Sequence, residues 1–327
     1  METFRGKIAV VTGGGTGMGR ELAKQMAGDG CHVAMCDVSA EAMAETLALC
    51  QQSAPAGTRI TTHECDVSDE AQVIAFRDAV RAEHTTESVH LLFNNAGIGG
   101  GGSFVTDERA EWDKTFAVCW GGVYFCTRAF LPLLIASPEA HLINTSSVNG
   151  FWASLGPLVP HTAYSAAKFA VKGFSEALIA DLRMNAPHVK VSVVMPGHVG
   201  TSIVTNSARV LGRPSPKEMT TADLAPIRER MRQRGLPADA IPDDLIRAGL
   251  QQMADDFRDK APLSAADAAT IILDGVRSGS WRILVGDDAH ELDRLVRADP
   301  EGAYEPAFLD QLQQRGLFHG MLAPGGE

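Results

Sequence analysis

The sequence predicts an α/β protein built on a doubly wound parallel sheet with helices on both faces. Short apolar runs alternate with segments of helical spacing along the chain, which is typical of parallel strands joined by crossover helices. Right-handed crossovers bring the carboxyl ends of such strands together at one crevice, where ligands bind. The predicted strands are residues 7–11, 32–36, 60–65, 89–93, 141–144, 190–195 and 281–285.

The first strand runs directly into a glycine-rich segment, Thr12 to Gly19, and apolar residues follow at helical spacing. Glycine permits positive φ and close approach of a phosphate, while the free amides at a helix start attract anions. A strand, a glycine turn and a helix in this order predict a dinucleotide site, with a plain glycine-rich turn as the alternative. The residues expected to contact the cofactor here are Gly13, Thr16, Gly17, Met18 and Gly19.

The second predicted strand is followed at once by Asp37. A carboxylate there can accept hydrogen bonds from the adenosine ribose, whereas a 2′-phosphate would place about −1.5 to −2 charges beside it. The glycine turn offers no arginine or lysine before Arg20 to offset that charge. The sequence therefore favours NAD over NADP, and the alternative is that Asp37 caps the following helix.

Tyr164 and Lys168 lie one helical turn apart and share a helix face. An ammonium beside a phenol favours the phenolate, so Lys168 is expected to lower the pKa of Tyr164. Tyr164 would then exchange a proton with an alcohol or a ketone near neutral pH. Such a pair taken alone also occurs on ordinary surface helices.

Three motifs together resemble those of the short-chain dehydrogenase/reductase family. They are Thr-Gly-x-x-x-Gly-x-Gly at 12–19, Asn-Asn-Ala-Gly at 94–97 and Tyr-x-x-x-Lys at 164–168. The resemblance covers about residues 5–200 and continues more weakly through 264–287. It implies a Rossmann-type fold and simple alcohol/carbonyl chemistry, since the spacings differ from those of the family's epimerase-like members and enoyl reductases.

The resemblance also implies roles for individual residues. Ser147 would be the catalytic serine that hydrogen-bonds the substrate oxygen, with Ser146 as the less favoured alternative. Lys168 would bind the nicotinamide ribose, and Asp66 would contact adenine or else cap a helix. His198 is expected to be a loop residue rather than a proton carrier. The other implied cofactor contacts are Val67, Asn94, Ala96, Gly97, Tyr164, Pro196, Gly197, Val199 and Thr201.

The chain departs from the family's pattern at Cys119, where an asparagine is usual. That asparagine helps to hold a water path from the lysine toward solvent, and a thiol is a poor substitute donor or acceptor. We expect another polar group or an ordered water to restore the relay. The alternative is slow turnover with an altered pH dependence.

Segments outside the motifs are expected to select the substrate. The stretch from Phe151 to His161 is longer than in many relatives. Its residues Phe151, Trp152, Leu155 and Leu158 suggest an apolar pocket wall, or else a loop packed on its own core or on a neighbouring subunit. Residues 202–262 predict an inserted helical substrate lid, with helices at 222–234 and 243–260. The alternative is a surface embellishment or an oligomer contact.

The carboxyl-terminal third predicts further helices. A helix capped by Ser264 is expected to end near Gly279. Residues 288–327 predict a tail of two amphipathic helices broken at Asp299-Pro300, and the whole of 1–327 is interpreted as one Rossmann-type domain.

Composition favours a cytoplasmic enzyme. The chain has 327 residues, 45% of them hydrophobic, and no stretch predicts a signal peptide or a membrane anchor. A net charge of −11 argues against nucleic acid and anionic membranes as partners. The six cysteines lack metal-ligand spacing, so reduced core thiols are expected and no metal site.

These observations predict an NAD-dependent alcohol dehydrogenase or carbonyl reductase. Its substrate would be a bulky, largely apolar secondary alcohol or ketone that is cyclic, aryl or steroid-like, and the resemblance implies a homodimer or homotetramer. The competing prediction is a catalytically weak nucleotide-binding regulatory or scaffold protein of the same fold. A zinc-dependent alcohol dehydrogenase is disfavoured by the cysteine spacing.

Overall fold

The computed structural model describes residues 1–155, 159–233 and 235–317, apart from the side chain of Gln233. Its centre is a seven-stranded parallel sheet, accompanied by a separate two-stranded ladder. The strands are β1 (Ile8–Thr12), β2 (His32–Asp37), β3 (Ile60–Glu64), β4 (Leu91–Asn94), β5 (Ala140–Thr145), β6 (Val189–Pro196), β7 (Val199–Gly200), β8 (Leu263–Ser264) and β9 (Arg282–Val285).

The strand order in the main sheet is β3-β2-β1-β4-β5-β6-β9, and each neighbouring pair is parallel. Every strand that the sequence predicted is present, with its ends shifted by at most two residues. The order reverses direction between β1 and β4, so the residues that follow these two strands face one crevice.

Helices cover both faces of the sheet, as predicted. The described helices are α1 (Gly17–Gly28), α2 (Ala40–Ser53), α3 (Glu70–His84), α4 (Arg109–Phe116), α5 (Gly122–Ile135), α6 (Thr162–Asn185), α7 (Ile203–Val210), α8 (Thr221–Gln233), α9 (Asp243–Asp259), α10 (Ala265–Ser278), α11 (Asp287–Ala298) and α12 (Pro306–Gln314). One core cluster joins α3, α5 and α6 to the sheet, and a second joins α1 and α10 to the opposite face. Burying apolar surface on both faces drives this layering.

The helical stretch Arg109–Ile135 is long and apolar enough to pass a length-and-composition test for a membrane span, which the sequence reading had not singled out. Just over half of its tested window, 56%, is buried inside the protein. Phe130 and Leu134 within it are fully buried in the core cluster shared with α3 and α6. This packing explains the apolar composition as that of a core helix.

The insertion at 202–262 contains one helix that the sequence reading missed. The predicted helices at 222–234 and 243–260 correspond to α8 and α9, with ends that agree within one residue. Preceding them is α7, which is only eight residues long. A helix of two turns shows too few repeats for periodicity to reveal it.

The tail folds as two helices, α11 and α12. The segment between them begins at Asp299 and contains a short 3-10 turn at Gly302–Tyr304. Predicted tail residues 318–327 lie outside the described part of the chain. The tail packs on the loop that follows β5, where the indole of Trp152 donates to the Ala303 carbonyl at 2.8 Å. Helix α10 begins at its Ser264 cap and ends at Gly279, as predicted.

Candidate active site

Two adjoining hollows lie along the carboxyl edge of the sheet. The first, the glycine-turn cleft, has a volume of about 570 Å³ and runs from Asp37 past the glycine turn to Thr201. The second, the tyrosine cavity, has a volume of about 370 Å³ and surrounds Tyr164. Both are lined by the same five residues, namely Met18, Asn95, Gly97, Thr201 and Ile203. They form one continuous site with a polar and an apolar end.

The glycine turn lines the cleft in a conformation that requires glycine at two positions. Gly13 has φ +68° and Gly17 has φ +54°, a region that favours glycine. A Cβ on Gly13 would lie 2.8 Å from the Ala96 Cα, and one on Gly17 would lie 3.1 Å from the Thr201 Cγ2. The turn therefore holds the start of α1, with its free amides, against the cleft.

Gly19 was expected to contact the cofactor, and it lines neither hollow. It is buried behind the turn, and a Cβ there would lie 2.0 Å from the Gly13 carbonyl oxygen. Its role is close packing of α1 on the turn. By contrast, Gly13, Thr16, Gly17 and Met18 all line the glycine-turn cleft.

Asp37 lies at the far end of the glycine-turn cleft. Its carboxylate accepts from the Gly15 amide at 3.0 Å and from the Ser39 amide at 3.1 Å. The residue that caps α2 with its side chain is Ser39, so the helix-cap alternative for Asp37 is wrong. The Arg20 guanidinium donates hydrogen bonds to the Glu45 carboxylate, at 2.7 to 2.9 Å, and to the Gly15 carbonyl.

Asp66 and Val67 line the wall of the glycine-turn cleft. Burial raises the pKa of Asp66, but hydrogen bonds from Lys114 at 2.6 Å and from Ser68 outweigh it and hold this pKa below its usual value. Asp69, not Asp66, caps α3, so the cap alternative for Asp66 is also wrong. The carboxylate stays charged and already paired.

Asn94 was expected to contact the cofactor, and it lines neither hollow. Its side chain is buried beneath the loop and donates to Asn144 at 2.8 Å and to Thr127 at 3.0 Å. Its neighbour Asn95 lines both hollows and fixes the loop by donating to the Thr12 carbonyl at 3.1 Å. Ala96 and Gly97 also line the glycine-turn cleft.

Ser147, Tyr164 and Lys168 all line the tyrosine cavity. They come from two elements, the turn after β5 and the first two turns of α6. Ser147 hydrogen-bonds Tyr164, and the Lys168 ammonium lies 5.3 Å from the centre of the tyrosine ring. Lys168 is buried and donates to the Thr145 carbonyl at 2.9 Å. An ammonium has three donors, so others remain for further partners.

The expectation that Lys168 lowers the pKa of Tyr164 is not met in this arrangement. Burial raises the pKa of Tyr164 above its ordinary value, Cys119 adds to the rise, and only the hydrogen bond with Ser147 opposes it. Burial also lowers the pKa of Lys168, although Cys119 opposes that shift. The phenol is therefore held in its neutral, proton-donating form.

The two candidate serines have different surroundings. Ser146 is buried and its hydroxyl donates to the Lys168 carbonyl at 2.7 Å, so it fixes the start of α6. Ser147 hydrogen-bonds the tyrosine and also accepts from the Asn149 amide at 3.1 Å. Only Ser147 is placed to meet a group that approaches the phenol.

Cys119 occupies a π-helical turn, Ala117–Gly121, between α4 and α5. Its thiol donates to the Ile98 carbonyl at 3.1 Å and accepts from the Ile98 amide at 3.4 Å. A Cβ built on Gly97 would lie 3.4 Å from the Lys168 ammonium and 3.8 Å from the Cys119 sulfur, so both groups lie against Gly97. The thiol thus fixes the backbone beside the lysine.

The segment after β6 closes the tyrosine cavity with Pro196, Gly197 and Val199, while Thr201 lines both hollows. His198 points away from them and is buried. Its backbone amide donates to Asp288 at 2.6 Å and its Nε2 lies 2.8 Å from the Phe257 carbonyl. It is a structural loop residue, as the sequence indicated.

The predicted apolar wall is present only in part. Leu155 and Trp152 line the cavity, but Phe151 does not. Trp152 is fully buried and packs on Phe308 of the tail with ring centres 5.7 Å apart. The alternative of a loop packed on its own core therefore holds for much of this segment. Leu158 lies outside the described residues.

Several lining residues were missed by sequence reasoning. The His161 ring packs against Tyr164 at a tilt, with ring centres 4.6 Å apart, and burial lowers its pKa to about 4, so its imidazole is neutral. It ends the 151–161 stretch that was expected to wall the pocket, but only apolar residues of that stretch were named as lining. Several other missed residues come from α7 and α9, such as Ile203, Val204, Asn206, Arg209 and Phe257.

The described residues fit a dinucleotide better than a metal. An amide-rich turn that favours glycine leads from an acidic end at Asp37 to the cavity lined by Ser147, Tyr164 and Lys168. In the described ranges no three His, Cys, Asp or Glu residues form a group that could hold a metal ion. All six cysteines are free and buried.

Comparison with known proteins adds independent findings. The family model described as short chain dehydrogenase matches residues 7–210. A Mycobacterium tuberculosis protein named as the oxidoreductase SadH is 33% identical over 298 residues, which cover 91% of this chain and 92% of SadH. Levodione reductase of Leifsonia aquatica is 30% identical over 219 residues, covering 66% of this chain and 78% of that protein.

Solved structures agree with these sequence matches. A short chain dehydrogenase/reductase from Burkholderia phymatum in complex with NAD aligns with a TM-score of 0.72 and 31% identity, over 94% of this chain and 98% of the other. A metagenomic short-chain oxidoreductase in complex with NADP aligns with a TM-score of 0.53 and 33% identity, over 59% and 83%. The fold, the family-model match and the mycobacterial relative all lead to one conclusion: this chain belongs to the short-chain dehydrogenase family of oxidoreductases.

Proposed function

We propose that the protein transfers a hydride between NAD(H) and a bulky, largely apolar secondary alcohol or ketone that is cyclic, aryl or steroid-like. One observation carries this proposal. The phenol of Tyr164, the hydroxyl of Ser147 and the ammonium of Lys168 line an apolar cavity that is continuous with the glycine-turn cleft. Proton transfer and cofactor binding are thereby adjacent.

Each of the three residues has a distinct task in this proposal. Tyr164 gives a proton to the carbonyl oxygen during reduction and takes it back during oxidation. Ser147 hydrogen-bonds the same oxygen, where charge develops in the transition state. Lys168 supplies positive charge and free donors near the cofactor ribose. When bound, the cofactor supplies or accepts the hydride.

The raised pKa of Tyr164 gives this proposal a pH dependence. A phenol whose pKa lies above its ordinary value stays protonated through neutral pH. Ketone reduction needs that protonated form, whereas alcohol oxidation needs the phenolate. Oxidation is therefore expected to accelerate as pH rises, and reduction to slow.

The preference for NAD rests on charge at the far end of the glycine-turn cleft. Asp37 and Glu41 both line it there, and the nearby Arg20 is already paired with Glu45. A 2′-phosphate would add negative charge beside two carboxylates. The solved relatives bind NAD in one case and NADP in the other, so the support comes from these side chains.

The substrate class rests on the lining of the tyrosine cavity. Its apolar side chains include Val148, Leu155, Val204 and Phe257. Their number favours a ligand with a large apolar body, because such cavities bind mainly through buried apolar surface. His161 adds a neutral hydrogen-bonding group beside the phenol.

The test is nicotinamide absorbance during turnover of cyclic, aryl and steroidal alcohols and ketones, with NAD(H) and NADP(H) side by side. Tyr164→Phe should reduce kcat by roughly 10²- to 10⁴-fold, because it removes the general acid/base, while NADH affinity stays within about twofold. Unchanged turnover in that variant would refute the assigned mechanism. Faster turnover with NADPH would refute the assigned cofactor.

A second candidate function is a nucleotide-binding regulatory or scaffold protein, and Cys119 is the observation that favours it. The thiol replaces the family's usual asparagine beside Lys168. Tight NADH binding without turnover on the whole panel would support this candidate. Turnover that depends on Tyr164 would reject it.

We also propose a cytoplasmic homodimer or homotetramer that binds neither nucleic acid nor membranes. Helices α5 and α6 carry the exposed aromatic side chains Tyr124 and Phe169, 38% and 41% accessible, which suit contact with a second copy. Sedimentation of the purified protein should give a mass of two or four chains. A monomer at micromolar concentration would contradict the proposal.

A further inference from the structure

Helix α7 lies along the glycine-turn cleft rather than only beside the tyrosine cavity. Ile203, Asn206, Arg209 and Val210 recur at helical spacing and all line that cleft. Asn206 donates to the Thr16 hydroxyl of the glycine turn at 2.9 Å. This hydrogen bond holds α7 against the glycine turn, which the cofactor's phosphates would approach.

A second contact holds the same helix from the opposite side. The hydroxyl of Ser207 accepts from the Gly99 amide at 2.8 Å, in the loop that follows β4. Through Asn206 and Ser207, α7 therefore connects the turn after β1 with the loop after β4. These are the two strands between which the sheet order reverses.

Charge in the cleft is unbalanced. Asp37, Glu41 and Asp66 line it, and Arg209 is the one cationic side chain among its described lining residues. Asp66 is already paired with Lys114. Arg209 is exposed and makes no ion pair with any residue in 1–155, 159–233 or 235–317. Its guanidinium is available to a ligand.

A dinucleotide brings two phosphate charges into this cleft. The amides of the glycine turn stabilise them in part, but amides carry no net charge. A guanidinium offers a planar fork of donors that matches phosphate oxygens, with bonds about twice as strong as neutral ones. Arg209 lies one helical turn beyond Asn206, which already contacts the glycine turn.

We propose that the Arg209 guanidinium binds the phosphates of the nucleotide and that α7 thereby acts as a clamp on the cofactor. This rests on the proposed NAD(H) function and deepens it. The first helix of the insertion then contacts the nucleotide through one set of side chains, while Val204 and Ala208 of the same helix line the tyrosine cavity. Asp37 and Glu41 repel a 2′-phosphate, so the pyrophosphate is the expected partner.

Calorimetric binding of NADH, ADP, adenosine and 2′,5′-ADP to the full-length protein tests the clamp. Arg209→Ala should weaken NADH and ADP by roughly 10- to 100-fold and leave adenosine within about twofold, because only the first two carry the phosphates. Arg209→Lys should recover part of the loss. Arg230→Ala, at an exposed arginine of α8 that lines neither hollow, is the matched control and should bind all four ligands normally.

Each other result is decisive. An equal loss for adenosine would assign Arg209 a structural role, and no loss for NADH or ADP would overturn the clamp. A loss confined to 2′,5′-ADP would move the contact to a 2′-phosphate. Failure of the wild-type protein to bind any nucleotide would overturn the proposed function itself, whereas normal wild-type binding with an unaffected Arg209→Ala variant would overturn the clamp alone.

Amide hydrogen exchange gives a readout that is independent of affinity. NADH at saturating concentration should slow exchange in residues 203–210 of the wild-type protein. The same concentration relative to Kd should slow it less in Arg209→Ala. Equal protection from exchange in both proteins would contradict the proposal that Arg209 holds α7 on the bound cofactor.

Discussion

The glycine-turn cleft and the tyrosine cavity share one sheet edge but are built differently. The cleft is made mainly by short turns that directly follow β1, β2, β3 and β4, with α7 along one side. Much of the cavity wall comes from the loop after β5 and from α7 and α9, and the tail supports that loop. The nucleotide end therefore depends on local geometry and the substrate end on distant packing.

The largest expected effect is the loss of stability in a Trp152→Ala variant, which should leave the glycine-turn cleft unchanged. Replacing this tryptophan with alanine leaves a void between the loop after β5 and the tail, so the free energy of unfolding should fall by about 3–5 kcal/mol. Urea unfolding measures this loss, and Trp281→Ala, at a residue 44% exposed, is the control. NADH affinity should stay within about threefold at a temperature where the variant is folded. A parallel loss of NADH affinity would show that the two ends are not independent.

Asp37→Asn should change the other end by a smaller amount. Removing the charge should lower the preference for NADH over NADPH by roughly 10-fold, because repulsion of the 2′-phosphate is relieved. Fluorescence titration with both cofactors measures the ratio. Glu41→Gln, in the same end of the cleft, tests whether charge alone suffices. An unchanged ratio in Asp37→Asn would remove the argument for NAD.

Leu155→Ala should act on the tyrosine cavity alone. Loss of a half-buried apolar side chain should raise KM for a bulky ketone by roughly 5- to 10-fold, with NADH affinity unchanged. Steady-state kinetics on a large and a small ketone measure the effect. A rise of equal size for the small ketone would point to general disturbance of the loop rather than to lost contact.

Cys119→Asn should have the smallest effect. The thiol already makes two hydrogen bonds to the Ile98 backbone beside Lys168. If water or another group completes the proton path, turnover should change by less than about threefold, since the general acid/base is intact. The pH profile of kcat checks this. A gain of tenfold or more would show that the thiol limits the relay.

The fold and the nucleotide end could be predicted from the sequence because they depend on local patterns. Strand ends, the glycine turn, Asp37 and the Tyr164–Lys168 pair all follow from spacing along a few residues. The motifs do not tell which of their residues line the cleft and which lie behind it, as Gly19 and Asn94 do.

The substrate end could not be predicted for a different reason. Trp152 finds its partner 151 residues away in sequence, and α7 is too short to show a period. The pKa of Tyr164 also depends on how deeply the ring is buried, and the spacing to Lys168 does not reveal this. Long-range packing and desolvation are properties of the folded chain.

The hydrogen bond between the Trp152 indole and the Ala303 carbonyl joins segments that are synthesised at different times. A ribosome releases the amino-terminal part first, so β1 to β5 and the glycine turn emerge well before the tail. At about 5–20 residues per second, the intervening 151 residues take roughly 8 to 30 seconds. During that interval the nascent chain can assemble a nucleotide site, and its substrate pocket becomes complete only when the last helices arrive.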